Sequence, residues 1–189
     1  GGRERCLDFG CGFGLLLPVL SQNFQHVTGV DLRPDLSQQF LDAWYRDSAA
    51  AAGPKQSSDA AVSTKTEADL GSAGTKRRIN VVSDLAQADL EPGSVDLIVA
   101  LDVLEHITPL DPLLQAFHRL LSDTGHILVS GPSESWCYRL GRRLVGFSGE
   151  YHVSDVYAVE RDLKTLFETR RVRRWPPVPV LFEILLAQK

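Results

Sequence analysis

The apolar positions follow two rhythms that alternate along the chain. Arg5 to Phe9 is a short run that reads as a buried strand leading into glycines. Phe13 to Gln22 has helical spacing, with Leu15, Leu16, Val19 and Leu20 apolar. His26 to Val30 predicts a second strand that ends at Asp31. Pro34 is placed to begin a helix whose apolar face is Leu36, Phe40, Leu41 and Trp44. Ile79 to Val82 predicts a third strand. Val95 to Leu101 is almost continuously apolar, as a strand buried on both faces of a parallel sheet should be. A helix is expected over Asp111 to Leu121, a strand over His126 to Ser130, and a helix from a cap at Ser154 to about Phe167. Arg171 to Arg174 and Leu181 to Leu186 predict two last strands across Pro176-Pro177-Val178-Pro179. Strands alternating with helices imply an α/β fold with a mostly parallel sheet. The last two strands have no helix between them, which predicts an antiparallel edge.

Two stretches break the rhythm. Residues 48–78 are mostly Ala, Ser, Gly, Thr and charged, with only Val62 and Leu70 as larger apolar side chains. Such a segment buries too little surface to offset its ordering entropy and is expected to be a disordered insertion, part of its Ala-rich run being able to form helix. Gly131 to His152 reads as a loop carrying Trp136, Tyr138, Phe147 and Tyr151.

Composition bounds the rest. A length of 189 residues suits one domain over 1–189, with 43% hydrophobic and 23% charged residues. The net charge of −4 argues against a nucleic-acid partner. No apolar run approaches the ~18 residues of a membrane span. Cys6, Cys11 and Cys137 are odd in number and lack metal-ligand spacing, so they read as reduced thiols of a cytoplasmic protein. No signal peptide is visible, and the lack of any methionine suggests a trimmed start. Nothing in the sequence speaks to oligomeric state.

The glycines choose the chemistry. Leu7 to Leu15 reads L-D-F-G-C-G-F-G-L. A strand, a glycine turn and a helix bring backbone amides to one spot. The dinucleotide fingerprint G-x-G-x-x-G would need a glycine at 15, where Leu15 stands. The run Asp8-x-Gly10-x-Gly12-x-Gly14 instead resembles motif I of the class I S-adenosylmethionine-dependent methyltransferases. Three further matches follow in order. Asp31 ends the second strand, where an acidic residue can accept from both ribose hydroxyls. Asp84 follows the third strand, like the family's acceptor for the adenine amino group, with Leu85 beside it. Val103-Leu104-Glu105-His106-Ile107 looks like the signature of the subfamily commonly called type 11. The resemblance covers nearly the whole chain outside 48–78. It implies S-adenosyl-L-methionine as cofactor, with Asp8, Gly10, Cys11, Gly12, Gly14, Asp31, Leu32, Asp84, Leu85 and Leu101 lining its site. The expected fold class is therefore α/β, a Rossmann-like doubly wound seven-stranded sheet, mostly parallel, with an antiparallel C-terminal edge hairpin.

Methyl transfer from a sulfonium is an in-line displacement, and alignment supplies up to about 7–11 kcal/mol of such a barrier. A hydroxyl nucleophile also needs its proton removed. Candidates near the ends of strands four and five are Asp102, Glu105, His106, Tyr151 and His152, of which His106 and His152 are taken as the catalytic pair. Asp102, Glu105 and His106 would share one face of a helix. The spacing is similar to the E-x-x-E-H cluster that binds magnesium in ubiquinone-pathway O-methyltransferases and small-RNA 3′-end methyltransferases. Here the first position is the shorter Asp, so no metal is assigned, and fixing the helix start is the favoured role of Glu105 and His106. Arg139, Arg142 and Arg143 suit an anionic or lipid-linked acceptor or form a solvated helix face. Arg170, Arg171, Arg173 and Arg174 read as the charged exposed face of an edge strand. The expected acceptor is a small molecule or a glycan- or lipid-linked group, methylated at oxygen. The rivals are a nicotinamide-dependent oxidoreductase and a non-catalytic binding module. RNA methylation is a weaker option.

Overall fold

The structure is a computed structural model that describes residues 4–51, 78–133, 156–176 and 182–189, with the side chains of 49–51 left aside. Its frame is one seven-stranded sheet in the order β3-β2-β1-β4-β5-β7-β6. The strands are β1 (Arg5–Phe9), β2 (His26–Val30), β3 (Arg78–Val82), β4 (Val95–Leu101), β5 (Leu121–Pro132), β6 (Glu168–Trp175) and β7 (Phe182–Gln188). The first five are parallel, and β7 lies antiparallel between β5 and β6. The strand order reverses between β1 and β4, a switch point whose carboxyl-end crevice is where ligands bind in open α/β sheets.

Alternation along the central strands builds two cores. Leu7, Ile98, Ala100, Ile127, Val129 and Leu185 face one side. There they meet Leu114 and Phe117 of α3 (Asp111–Leu120) and Val156, Val159 and Leu163 of α4 (Val156–Leu163). Phe9 and Phe117 pack edge to face at 5.3 Å. Cys6, Val27 and Val99 face the other side, against Leu17 and Leu20 of α1 (Leu17–Ser21) and Leu41 of α2 (Pro34–Ala51). Helices on both faces make the sheet doubly wound. At its amino edge, the Asp96 carboxylate accepts from the Glu4 and Arg5 amides at 2.8 and 3.1 Å and ties β4 to the start of β1.

Several boundaries differ from the sequence reading. The helix expected from Phe13 begins only at Leu17, because residues 11–16 form tight turns through Gly14, whose φ is +78°. Residues 48–51 continue α2 and Arg78 opens β3, so the expected insertion overran both ends; 52–77 lie outside the described residues. Leu121 leaves α3 with ψ 137° and pairs with Val95, so β5 begins five residues before the expected His126. Gly131 and Pro132 belong to β5, and the rest of the expected aromatic loop falls outside the described residues apart from Ser133. The last helix closes at Leu163, followed by turns to Phe167, and its expected cap Ser154 lies outside the described residues.

The edge strand β6 carries a bulge between Arg171 and Arg173. Cross-strand partners share a face. Arg171 opposes Leu185 and Arg174 opposes Glu183, so the extra residue brings two arginines spaced i and i+3 onto the face of α4. Glu183 is fully buried there. It pairs with Arg171, with Arg174 Nε at 3.1 Å, and accepts from the Tyr157 hydroxyl at 3.2 Å. Arg171 also reaches Glu160 at 2.6 Å. Half of the arginine cluster expected to be a merely charged exposed face is thus committed to a buried carboxylate.

Candidate functional site

The glycine loop turns at the carboxyl end of β1. Gly10 and Cys11 amides both donate to the Val30 carbonyl, at 2.7 and 3.1 Å, which locks the loop against β2. Gly10 has φ +75°, and a Cβ there would fall 2.5 Å from Val103 Cγ2. The segment after β4 therefore lies directly on the loop. Gly12 has φ +54° and nothing within 4 Å of where a Cβ would point. Only a backbone without a side chain leaves that space open to a ligand.

Charge gathers around this loop. Asp31 Oδ2 accepts from the Gly12 amide at 2.8 Å, and Oδ1 accepts from the Arg33 amide at 2.9 Å. A carboxylate offers about four acceptor sites, so each oxygen keeps capacity for a further donor. Asp8 sits within β1 at 4% exposure. Burial first, then the nearby Asp31 charge, raises its carboxyl from 3.8 to about 7. No hydrogen bond reaches it among the described residues. Ser37, buried on α2, donates to the Gly12 carbonyl at 2.6 Å and lies 3.5 Å from Cys11 Sγ. Burial pushes the Cys11 thiol up to about 11.

The neighbouring strand ends complete the rim. The Asp31 amide donates to the Val82 carbonyl at 3.1 Å, joining the ends of β2 and β3. Asp84 follows, with Oδ1 capping a short turn (Leu85–Gln87) through the Ala86 amide at 2.8 Å. Leu85 packs half-buried against the core, while Leu32, Phe13 and Leu101 are exposed around the loop and at the end of β4. The ten residues expected at a cofactor site thus all lie at the carboxyl ends of β1 to β4.

Of the expected catalytic pair, His106 alone lies among the described residues. His106 is exposed at the end of a single 3-10 turn (Leu104–His106). His152 and Tyr151 lie outside the described residues. Asp102, Glu105 and His106 do not share one helix face. Asp102 has φ +52°, and the turn after it sends Glu105 into the core at 1% exposure while His106 faces out. Burial raises the Glu105 carboxyl above its ordinary value. Asp102 Oδ1 accepts from Ser130 Oγ at 2.9 Å, and its amide donates to the Ser130 carbonyl at 3.1 Å. Among the described residues no three His, Cys, Asp or Glu side chains are grouped to hold a metal ion. Ser37, Val103 and Ser130 escaped the sequence reading. A buried serine in a first helical turn and a valine inside an apolar motif carry no signal until the chain is folded.

The model of the methyltransferase domain family matches residues 2–179. A ubiquinone biosynthesis O-methyltransferase of Pseudomonas aeruginosa is 25% identical over 127 residues, 67% of this chain. The chain spans only 44% of that relative's length. The YcgJ protein of Bacillus subtilis superposes with a TM-score of 0.65 at 12% identity, over 100% of this chain and 93% of its own. The N-methyltransferase NodS of Bradyrhizobium japonicum, solved with S-adenosyl-L-homocysteine, gives 0.59 at 17% identity, over 99% and 77%. At those identities the two structures speak to the fold alone.

Proposed function

The chain belongs to the methyltransferase domain family, and from that premise we propose that it moves a methyl group from S-adenosyl-L-methionine to an oxygen of a small-molecule, glycan- or lipid-linked acceptor. The observation that carries the cofactor is the loop itself: open space over Gly12, bounded by Asp31 and backed by the buried carboxyl of Asp8. A buried carboxylate with no cationic neighbour among the described residues suits a ligand that brings positive charge. The oxygen preference is supported by relatives named as O-methyltransferases at 25–28% identity. The nicotinamide reading falls with the family match.

When bound, S-adenosyl-L-methionine supplies a methyl group activated by positive sulfur. The residues of the chain hold and orient it. Asp31 would accept from the ribose hydroxyls with the lone pairs left over from Gly12 and Arg33. Asp84 would accept from the adenine amino group with its free oxygen, beside Leu85. Leu32, Phe13 and Leu101 would cover apolar ligand surface and exclude water. That methyl group would be offered to an acceptor oxygen, which must also lose its proton. Exposed His106, three residues beyond the Val103 that packs on Gly10, would take the acceptor's proton, with His152 as its proposed partner.

Calorimetric titration tests the cofactor. S-adenosyl-L-methionine and S-adenosyl-L-homocysteine should bind, NAD⁺ should not, and Asp31→Ala should weaken both by about 100-fold through two charge-assisted hydrogen bonds. A folded sample that binds neither sulfur compound sinks the reading. Turnover is then tested with methyl-labelled cofactor and matched panels of hydroxyl and amine acceptors. Label confined to amines would overturn the oxygen preference.

A further inference from the structure

The arginine strand β6 is not used by the site described above. It is the sheet edge, paired only with β7, and it carries four arginines against one glutamate in a chain of net charge −4. The bulge sorts these arginines. Arg171 and Arg174 turn inward to Glu183, while Arg170 and Arg173 oppose Leu186 and Ile184 on the other face. Neither Arg170 nor Arg173 has an acidic partner among the described residues. Beside them Trp175 is 59% exposed and Val172, at the bulge, 54%. The Arg173 guanidinium lies 5.7 Å from the centre of the Trp175 ring.

Two kinds of partner fit an exposed edge. One is another strand, which would use the free backbone groups. The bulge and the row of arginines oppose that, since both are devices that keep edges from pairing. The other is a negatively charged, partly apolar plane. Tryptophan settles at the headgroup level of a bilayer, and arginine reaches phosphates while its stem covers apolar surface. We infer that the β6 face of Arg170, Arg173 and Trp175 rests on an anionic lipid surface.

The strand direction gives this contact an orientation. β6 runs parallel to β5, because β7 is antiparallel to both. Trp175 opposes Phe182, which opposes Pro132 at the carboxyl end of β5. The tryptophan therefore sits at the same end of the sheet as the glycine loop. No helix among the described residues is long and apolar enough to cross a membrane.

Vesicle sedimentation of the full chain tests this without knowing the acceptor, so its outcome is separate from that of the methyl-transfer reading. Phosphatidylcholine vesicles containing about one-third phosphatidylglycerol should bind the chain, and pure phosphatidylcholine should not. The double variant Arg170→Gln/Arg173→Gln should lose about 30-fold in partitioning, at about fivefold for each basic residue. Both residues face solvent, so an unchanged melting curve serves as the folding control. Anionic vesicles should also shift the tryptophan emission to the blue, and Trp175→Phe should abolish that shift. No binding to anionic vesicles overturns the proposal. So does binding that the double variant leaves unchanged. A soluble oligonucleotide that binds as tightly at the same salt also overturns it, in favour of a general polyanion site.

Discussion

Replacing Asp8 with asparagine should make the ligand-free chain more stable at alkaline pH. The side chain lies within β1 at 4% exposure, with no cation beside it among the described residues. Folding raises its carboxyl from 3.8 to about 7, which corresponds to about 4 kcal/mol between the two protonation states. The sign follows from which state holds the proton more tightly. Below pH ~4 the acid is protonated both folded and unfolded, so folding carries no cost from it. Between ~4 and ~7 the folded chain keeps the proton that the unfolded chain releases, and stability falls as pH rises. Above ~7 the folded chain carries a buried charge at full cost. Relaxation and water entry reduce the ceiling to about 2 kcal/mol, and asparagine, nearly the same shape, removes it. For a chain of this size that is a gain of about 4–8 °C in melting temperature at pH 8. At pH 5 the gain should be smaller. The assay is a pair of thermal or urea unfolding series from pH 5 to 8, read as the difference between the two proteins. A variant that is less stable at pH 8, or a difference that does not change with pH, would refute the argument. The same variant should bind both sulfur compounds more weakly, because the carboxylate is the proposed counter-charge.

Other outcomes follow from single contacts. Gly10→Ala drives a Cβ to 2.5 Å from Val103 at φ +75°, and should destabilise the chain by about 2–4 kcal/mol in urea unfolding. Gly12→Ala meets no atom within 4 Å, so it should cost only about 1 kcal/mol of stability yet block calorimetric binding of S-adenosyl-L-homocysteine. Arg171→Met leaves buried Glu183 with Arg174 and Tyr157, and should cost about 2–3 kcal/mol. Glu183→Gln returns two partly exposed guanidiniums to water, and should cost less, about 1 kcal/mol. Cys11, with its thiol raised to about 11, should react slowly with iodoacetamide at neutral pH, and its rate should climb about tenfold per pH unit above 8. A fast reaction at pH 7 would refute that.

The strands and the glycine loop were legible because their signals are local. Val95–Leu101 reads as a buried strand from its own residues, and Asp8 through Gly14 carries its spacing within one turn. The boundaries that failed depend on distant partners. Nothing in Leu121 says that Val95 will pair with it and end α3. Helical spacing at 13–22 was real, yet Gly14 held the first part as turns. The helix face expected to be shared by Asp102, Glu105 and His106 is absent for a similar reason. Identical spacing on an α-helix and on a 3-10 turn sends side chains in different directions, and the left-handed backbone at Asp102 could not be read from its neighbours. The division of the arginines between a buried carboxylate and the open edge also had no local signal, because a bulge is a property of two strands.

The glycine loop is fixed by bonds within the chain: Gly10 and Cys11 to Val30, Gly12 to Asp31 and Ser37. Its shape therefore does not depend on the presence of a methyl group at the far end of whatever it holds. Ribose, adenine and amino acid are common to the spent and the charged compound, and contacts to shared parts are uniform binding that leaves the chemical step unaided. With the activity proposed above, a protein built this way would be inhibited by its own product. Its rate in a cell would follow the ratio of charged to spent compound more closely than the amount of either. Removal of the product by another reaction would then govern its output as firmly as any residue in the chain.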